Sequence, residues 1–221
     1  PEDDLDRELA RQAELALMPE GSRTADGHQT YAESQFEVLG QFFNLFILVR
    51  LNGEPVFIDQ HIASERIIYN RLKRSGASRP SQMMLLGEPV ELPRDVCATL
   101  SSNLDTIKEI GLEVEPFGER AFIVRSVVHN SGRFNPAALL TSLANEIDSS
   151  PGAAQREDLL DRLYVATACE LAIQGGQQLT LQEMHSLMRE YLVEEFNATC
   201  PHGRPIIKKL SLDEMKTWFK R

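Results

Sequence analysis

The stretch Phe36–Glu65, FEVLGQFFNLFILVRLNGEPVFIDQHIASE, decides the fold. Runs rich in β-branched and aromatic residues at Phe36–Gln41, Leu45–Leu51 and Pro55–Asp59 predict three strands. Asn52-Gly53 lies between the last two and is a strong hairpin signal. The apolar run FFNLFILV, residues 42–49, predicts a strand buried on both faces. Directly after the third strand, Ile62–Arg74 has helical spacing. Ile62, Ile67, Ile68, Tyr69 and Leu72 supply its buried stripe.

Working outward, the pattern stays mixed. Residues 1–18 are a charged, weakly apolar helix candidate, and 19–33 read as a linker of Pro, Gly, Ser and polar residues. After an irregular segment at 77–90, Pro93–Ile110 predicts a helix with Val96, Leu100, Leu104 and Ile107 on one side. Leu112–Pro116 and Ala121–Val127 predict a strand pair about Gly118, and Asn135–Ile147 a helix. A second linker, 148–154, precedes a long helix at 156–174 that ends at Gly175-Gly176. Thr180 with Glu183, and Ser211 with Glu214, are capping boxes that open two further helices, the first running to about Phe196. Arg204–Leu210 predicts a strand between them.

The chain of 221 residues has ordinary composition and a formal net charge of -10. That charge argues against broad nonspecific duplex binding, which draws on basic groups neutralising phosphates. It leaves room for a nuclease with a local basic patch. Three scattered cysteines make no disulfide framework and fit a reducing compartment. No run of about 18 apolar residues is present, and no signal-peptide pattern opens the chain, so no membrane partner is expected.

Two short polar motifs carry the chemistry. The first is Asp59-Gln60-His61-Ile62-Ala63-Ser64-Glu65 and the second is Cys200-Pro201-His202-Gly203-Arg204-Pro205. His61 and Glu65, four apart, share a helix face and can hold one ion. The plain alternative is that Asp59 caps the helix and His61 packs at the strand end. Cys200 and His202 pair a soft sulfur with an imidazole, a zinc-like combination; the alternative is a buried thiol beside a turn histidine. Cys169 lies in an apolar helix, where small buried cysteines are common. Both ends of the chain contributing to one site predicts one unit from 34–78 and 148–221, with 79–147 inserted. Arg204 can neutralise a carboxylate or approach a phosphate. Lys208, Lys209, Lys216, Lys220 and Arg221 make the C-terminal end locally basic, suited to a phosphate backbone or simply solvated. Cys97 reads as core, and His185 as structural or exposed.

These motifs resemble the C-terminal endonuclease and dimerisation domain of the bacterial MutL mismatch-repair proteins. That family's pattern is Asp-Gln-His-Ala, two residues, Glu, four residues, Glu. It matches here at Asp59, Gln60, His61 and Glu65, with Ile62 and Asn70 departing from it. An Ala-Cys helix motif corresponds to Ala168-Cys169. The Cys-Pro-His-Gly-Arg-Pro motif is complete at 200–205, and the Phe-x-Arg ending is complete at Phe219-Lys220-Arg221. The resemblance covers about residues 34–221. It implies an α/β, two-subdomain fold: a dimerisation and endonuclease subdomain built from both ends, a smaller inserted regulatory subdomain, and a flexible linker at 1–33.

The resemblance implies a manganese-dependent nickase with regulatory zinc. Asp59, His61, Glu65, Cys169, Cys200 and His202 would hold Zn2+ and Mn2+. Asp59, His61, Glu65 and Arg204 would serve catalysis, and Lys220 and Arg221 would contact DNA or organise the site. Gln82, Leu85 and Leu86 resemble a sliding-clamp-binding motif, with Gly87 where proline is expected. The implied partners are a second copy, double-stranded DNA, a replication sliding clamp and, through the full-length protein, a MutS-type mismatch-recognition protein. An ATPase domain of the GHKL type is expected to precede this region, in a cytoplasmic, nucleoid-associated bacterial protein. The alternative is a non-catalytic, zinc-stabilised scaffold for dimerisation and clamp recruitment, which Asn70, lacking a carboxylate, keeps open. A zinc hydrolase of small substrates would instead need an enclosed apolar pocket.

Overall fold

Asn52 and Gly53 adopt φ of 53° and 87°, the left-handed pair of a tight hairpin turn, and so fold the second strand back against the third. The computed structural model describes residues 35–75, 81–83, 89–128, 134–149, 156–194, 199–200 and 203–220. Its elements are β1 (Phe36–Phe42), β2 (Phe46–Leu51), β3 (Glu54–Asp59), α1 (Gln60–Ser75), β4 (Ser81–Met83), β5 (Val90–Glu91), α2 (Arg94–Ser102), α3 (Leu104–Glu109), β6 (Glu113–Pro116) and β7 (Ala121–Val128). Then follow α4 (Pro136–Asp148), α5 (Arg156–Leu171), α6 (Leu181–Arg189), a π-helical turn (Glu190–Glu194), β8 (Ile207–Lys209) and α7 (Leu212–Trp218). The architecture is mixed α/β with two sheets. By contact the chain divides into two units, one holding residues up to Ile67 and from Ile173 onward, the other Ile68–Ala172. The segment 79–147 lies within the second.

The first unit is built on an antiparallel sheet of order β1-β2-β3-β8. Strand alternation puts Ile47, Val49, Val56 and Ile58 on one face, all fully buried. They form a core with Ile62, Ala63 and Ile67 of α1 and with Met184, Leu187 and Met188 of α6. Each of the buried Val, Ile, Leu and Met side chains contributes about 1.5–3 kcal/mol on burial. Thr180 and Ser211 make the expected capping boxes on α6 and α7.

The other face of this sheet corrects the expectation of a strand buried on both sides. Phe43 and Asn44, both at φ 54°, turn the chain between β1 and β2 and split the apolar run. Phe43 is 87% exposed, and Leu39, Phe42 and Leu45 are exposed as well. Phe46, Leu48 and Phe57 are only half-buried. Phe57 meets Phe42 edge-on at 5.8 Å between ring centroids. The result is an apolar sheet face that no other element among the described residues of the first unit covers.

The second unit has β7 at the centre of its sheet, with β6 along one edge and β4 and β5 along the other. Its core gathers Leu100, Ile107, Leu112, Phe122, Leu139, Leu143 and Leu163, among others. Cys97 is buried there, as expected, its thiol donating to Leu92 O at 3.7 Å. The predicted single helix over 93–110 is two helices, α2 and α3, broken at Asn103. The Asn103 side chain donates to Thr99 O at 2.8 Å and so competes with the helical ladder. The segment at 77–90 contributes β4 and β5, strands too short to show a sequence period. Tyr69 and Lys73 of α1 both donate to Asp161 Oδ1 of α5, each at 2.8 Å.

Burial works to raise the Asp161 carboxyl, but the Lys73 and Tyr69 hydrogen bonds outweigh it and hold the group below the usual carboxylate range. Hydrogen bonds to Asp161 and Tyr69 push the Lys73 ammonium above its ordinary value. The depressed carboxylate therefore adds stability above the ordinary Asp value, and this is lost as pH falls through its folded value. Both side chains are well exposed, so solvent screening keeps the sum near ~1 kcal/mol. We predict that Asp161→Asn lowers the unfolding free energy by about that amount at neutral pH. Urea titrations of the two proteins should converge as pH is taken below the carboxylate range.

Candidate functional site

Asp59 closes β3, and its Oδ1 accepts the Ile62 N–H at 3.0 Å, which caps α1. The helix starts at Gln60, so His61 and Glu65 fall on one helical face. His61 Nδ1 lies 2.9 Å from Ile173 O. A carbonyl oxygen only accepts, so Nδ1 carries a hydrogen, which leaves Nε2 as the nitrogen available to a ligand. Nε2 faces Glu65 Oε2 at 3.9 Å. The Glu65 side chain is fully buried, and Arg204 Nη2 approaches the same Oε2 at 3.4 Å.

Arg204 comes from a tight loop in the second motif. Cys200 N–H donates to Arg204 O and Gly203 N–H to Cys200 O, both at 2.9 Å, and Thr199 bridges to Pro205. Gly203, at φ 83°, allows the reversal. The Arg204 N–H points at Cys200 Sγ at 3.2 Å, the kind of supporting hydrogen bond that a metal-bound sulfur uses. Cys200 is buried. Contacts therefore run from Cys200 through Arg204 to Glu65 and His61, all within the first unit.

The remaining expected residues fall elsewhere. Cys169 is half-buried on α5, in the second unit, as is Asn70 on α1. His202 and Arg221 lie outside the described residues. Lys220 is exposed. The basic end is less uniform than its sequence suggests. Lys209 meets Glu54 at 3.0 Å, Lys216 meets Asp213 at 3.7 Å and Lys208 meets Glu214 at 3.9 Å. The predicted strand over 204–210 shortens to β8.

Two donors that share an ion about 2.0–2.2 Å from each can stand no more than about 4.4 Å apart. His61 Nε2 and Glu65 Oε2 satisfy that limit, and imidazole with carboxylate suits zinc or manganese. By distance and donor type this pair can share an ion, but it supplies only two ligands. Among the described residues, no group of three or more His, Cys, Asp or Glu side chains is placed to hold one.

Comparison with known proteins agrees with the motifs. Residues 39–179 match the family model described as the MutL C terminal dimerisation domain. The chain belongs to the MutL family. It is 32% identical over 183 residues to the DNA mismatch repair protein MutL of Bartonella bacilliformis, covering 82% of this chain and 30% of that protein. Against the protein of the same name from Methanocorpusculum labreanum, identity is 32% over 217 residues, or 96% and 36% of the two chains. Against that of Mesorhizobium japonicum it is 33% over 178 residues, or 80% and 28%. The chain thus spans about a third of the length of these relatives. Among the described residues no helix is long and apolar enough to cross a membrane.

In this MutL domain the clamp-like motif begins on a strand: Gln82 of β4 pairs with Val127 of β7. Leu85 and Leu86 lie outside the described residues. Gln60, within the Asp-Gln-His motif, is a structural position to which the sequence analysis gave no role. It is fully buried. Its Nε2 donates to Asn44 O and Gln177 O, both at 2.9 Å, and its Oε1 accepts from Gln41 Nε2 at 2.6 Å. Gln41 also donates to Gln177 O and accepts the Leu179 N–H. Ser64 Oγ accepts the Ile173 N–H at 3.2 Å. Gln41, Gln60, His61 and Ser64 thereby pin the segment 173–179. The only sequence signal was an amide side chain between two candidate ligands.

Gln60→Leu removes one hydrogen bond from each of Asn44 O, Gln177 O and the Gln41 amide, while Asn44 O keeps the Gly176 N–H and Gln177 O keeps Gln41 Nε2. We predict a loss of about 1–3 kcal/mol in unfolding free energy, because a hydrogen bond contributes roughly 0.5–1.5 kcal/mol and the remaining bonds prevent a full desolvation penalty. Hydrogen exchange should accelerate at the Gly176 and Leu179 amides, which this network holds in place.

Proposed function

We propose that this chain is the dimerising part of a MutL-type mismatch-repair protein and that its first unit also carries a metal-dependent DNA nicking centre. The dimerisation reading rests on one observation above all, the uncovered apolar face of the β1-β2-β3-β8 sheet. Contiguous apolar patches of this kind mark interaction sites. Leu39, Phe42, Phe46, Leu48 and Phe57 would form the middle of an interface between two copies. A stable pair needs about 800 Å² from each partner, a demand a four-stranded sheet face can meet.

The nicking reading is favoured by the His61–Glu65 pair and the Cys200–Arg204 loop that reaches it. In this reading His61 and Glu65 hold the ion, with Asp59, Cys200 and His202 added by the family resemblance. A bound zinc or manganese ion would supply Lewis-acid stabilisation of a phosphodiester and an activated water. Of the chain's own residues, His61 is oriented by Ile173 O, and Glu65 is sheltered from solvent. Lys220 and Arg221 would meet the DNA backbone. The non-catalytic, zinc-stabilised scaffold for dimerisation and clamp recruitment stands beside it and is favoured by two observations: Asn70 withholds the family's second carboxylate, and among the described residues no group of three or more His, Cys, Asp or Glu side chains is placed to hold a metal. Sliding clamp, duplex DNA and a MutS-type protein are the partners proposed under both.

Leu48 points away from the core, so Leu48→Asp should leave the fold intact and split the dimer. Sedimentation velocity should show a dimer for the parent chain and a monomer for the variant, with unchanged circular dichroism. A variant that still sediments as a dimer would move the interface off this face.

Supercoiled plasmid incubated with the protein, manganese and sliding clamp separates the two functional readings. Nicking by the parent, lost in Asp59→Asn and Glu65→Lys, is the expected result. Absence of nicking with zinc still bound would leave the scaffold.

A further inference from the structure

Glu65 is a fully buried carboxylate, and a buried anion requires a cation close by. Here Arg204 supplies one, with Nη2 at 3.4 Å from Oε2. His61 Nε2 faces that same oxygen at 3.9 Å. An ion that bridges His61 Nε2 to Oε2, the Glu65 oxygen it faces, would share or take over the oxygen that the guanidinium addresses. The two partners differ in what they can do about this. The Glu65 side chain is inaccessible to solvent, whereas that of Arg204 is 55% exposed and can turn outward. The backbone at Arg204 need not follow, because its N–H and C=O are tied to Cys200 Sγ and N–H.

We propose that Arg204 is a placeholder for the metal: it neutralises Glu65 while the site is empty and withdraws from Oε2 when a divalent cation arrives. The inference rests on the reading that His61 and Glu65 bind metal. It makes Arg204 a competitor of the ion, whereas a guanidinium that merely orients Glu65 would assist binding. The two roles predict opposite signs for the same substitution. They also separate charge from packing, since Arg204→Lys keeps the charge and Arg204→Gln keeps a hydrogen-bond donor without it.

The test is a zinc titration of the 221-residue chain, read by competition with a chromophoric chelator, for the parent, Arg204→Ala, Arg204→Gln and Arg204→Lys. We expect Arg204→Ala and Arg204→Gln to bind zinc about tenfold tighter than the parent, with Arg204→Lys close to it. The metal-free Ala and Gln variants should melt lower than the parent, and added zinc should restore more of their stability. Equal or weaker zinc affinity in these two variants, with the parent binding zinc, overturns the placeholder and leaves the metal reading standing. Zinc binding by none of the four overturns both. A variant that fails to fold leaves the parent protein as the test. Its Arg204 guanidinium nitrogen resonance should shift, and its exchange with water should quicken, as zinc is added. A resonance unmoved at zinc saturation overturns the proposal.

Discussion

Burying the polar start of a helix obliges the protein to satisfy every group placed there, and much of the first unit follows from that obligation at Asp59–Glu65. A glutamine, a serine and a carboxylate, Gln60, Ser64 and Glu65, all sit where water does not reach. Asp59 answers one N–H as a cap. Gln60 is answered by Gln41 and by the carbonyls of Asn44 and Gln177. Ser64 and His61 take the N–H and C=O of Ile173. The same bonds that satisfy the helix therefore fasten the β1–β2 turn and the segment 173–179 to it. Unmet, these groups would each cost roughly 1–3 kcal/mol, comparable to removing a core side chain.

This arrangement also prepares chemistry. A histidine whose Nδ1–H is engaged by a carbonyl has one tautomer and one orientation, and its other nitrogen is aimed. Here it is aimed at a carboxylate that cannot reach water. Arg204 completes the local charge balance from a loop whose own backbone wraps the Cys200 sulfur. A ligand pair, a neutralising cation and a supported thiol are thus brought into contact by residues from both ends of the chain. The apolar sheet face belongs to the same unit, so one scaffold presents a surface for a second copy and a pair of groups suited to a metal.

Most of the elements were legible because their signals are local. Asn52-Gly53 marked the hairpin, the two capping boxes marked α6 and α7, and the strand and helix periods located the rest. Where the reading failed, a side chain or a distant segment had intervened. Asn103 turned its amide onto Thr99 O and split one helix into two. The helix expected over 156–174 ends at Leu171, because Ile173 gives its N–H to Ser64 and its C=O to His61 in place of the helical ladder. The helix expected to run to Phe196 passes into a π-helical turn at Glu190. Of these, only the contacts of Ile173 with Ser64 and His61, more than a hundred positions away, lie outside any window of sequence around the position.

By itself the sequence determined the family, the mixed α/β class and the identities of the candidate ligands. Residue type and spacing are covalent facts, and four ordered motifs are hard to produce by chance. Only the tertiary structure decided which groups meet. It assigned Asp59 Oδ1 to a helix cap, set His61 against Ile173 and placed Arg204 on the Glu65 oxygen. It also turned one face of an apolar strand outward. The Asp59 cap is a local contact that the sequence already offered, but His61–Ile173 and Arg204–Glu65 join residues more than a hundred positions apart, and such contacts exist only once the chain has folded.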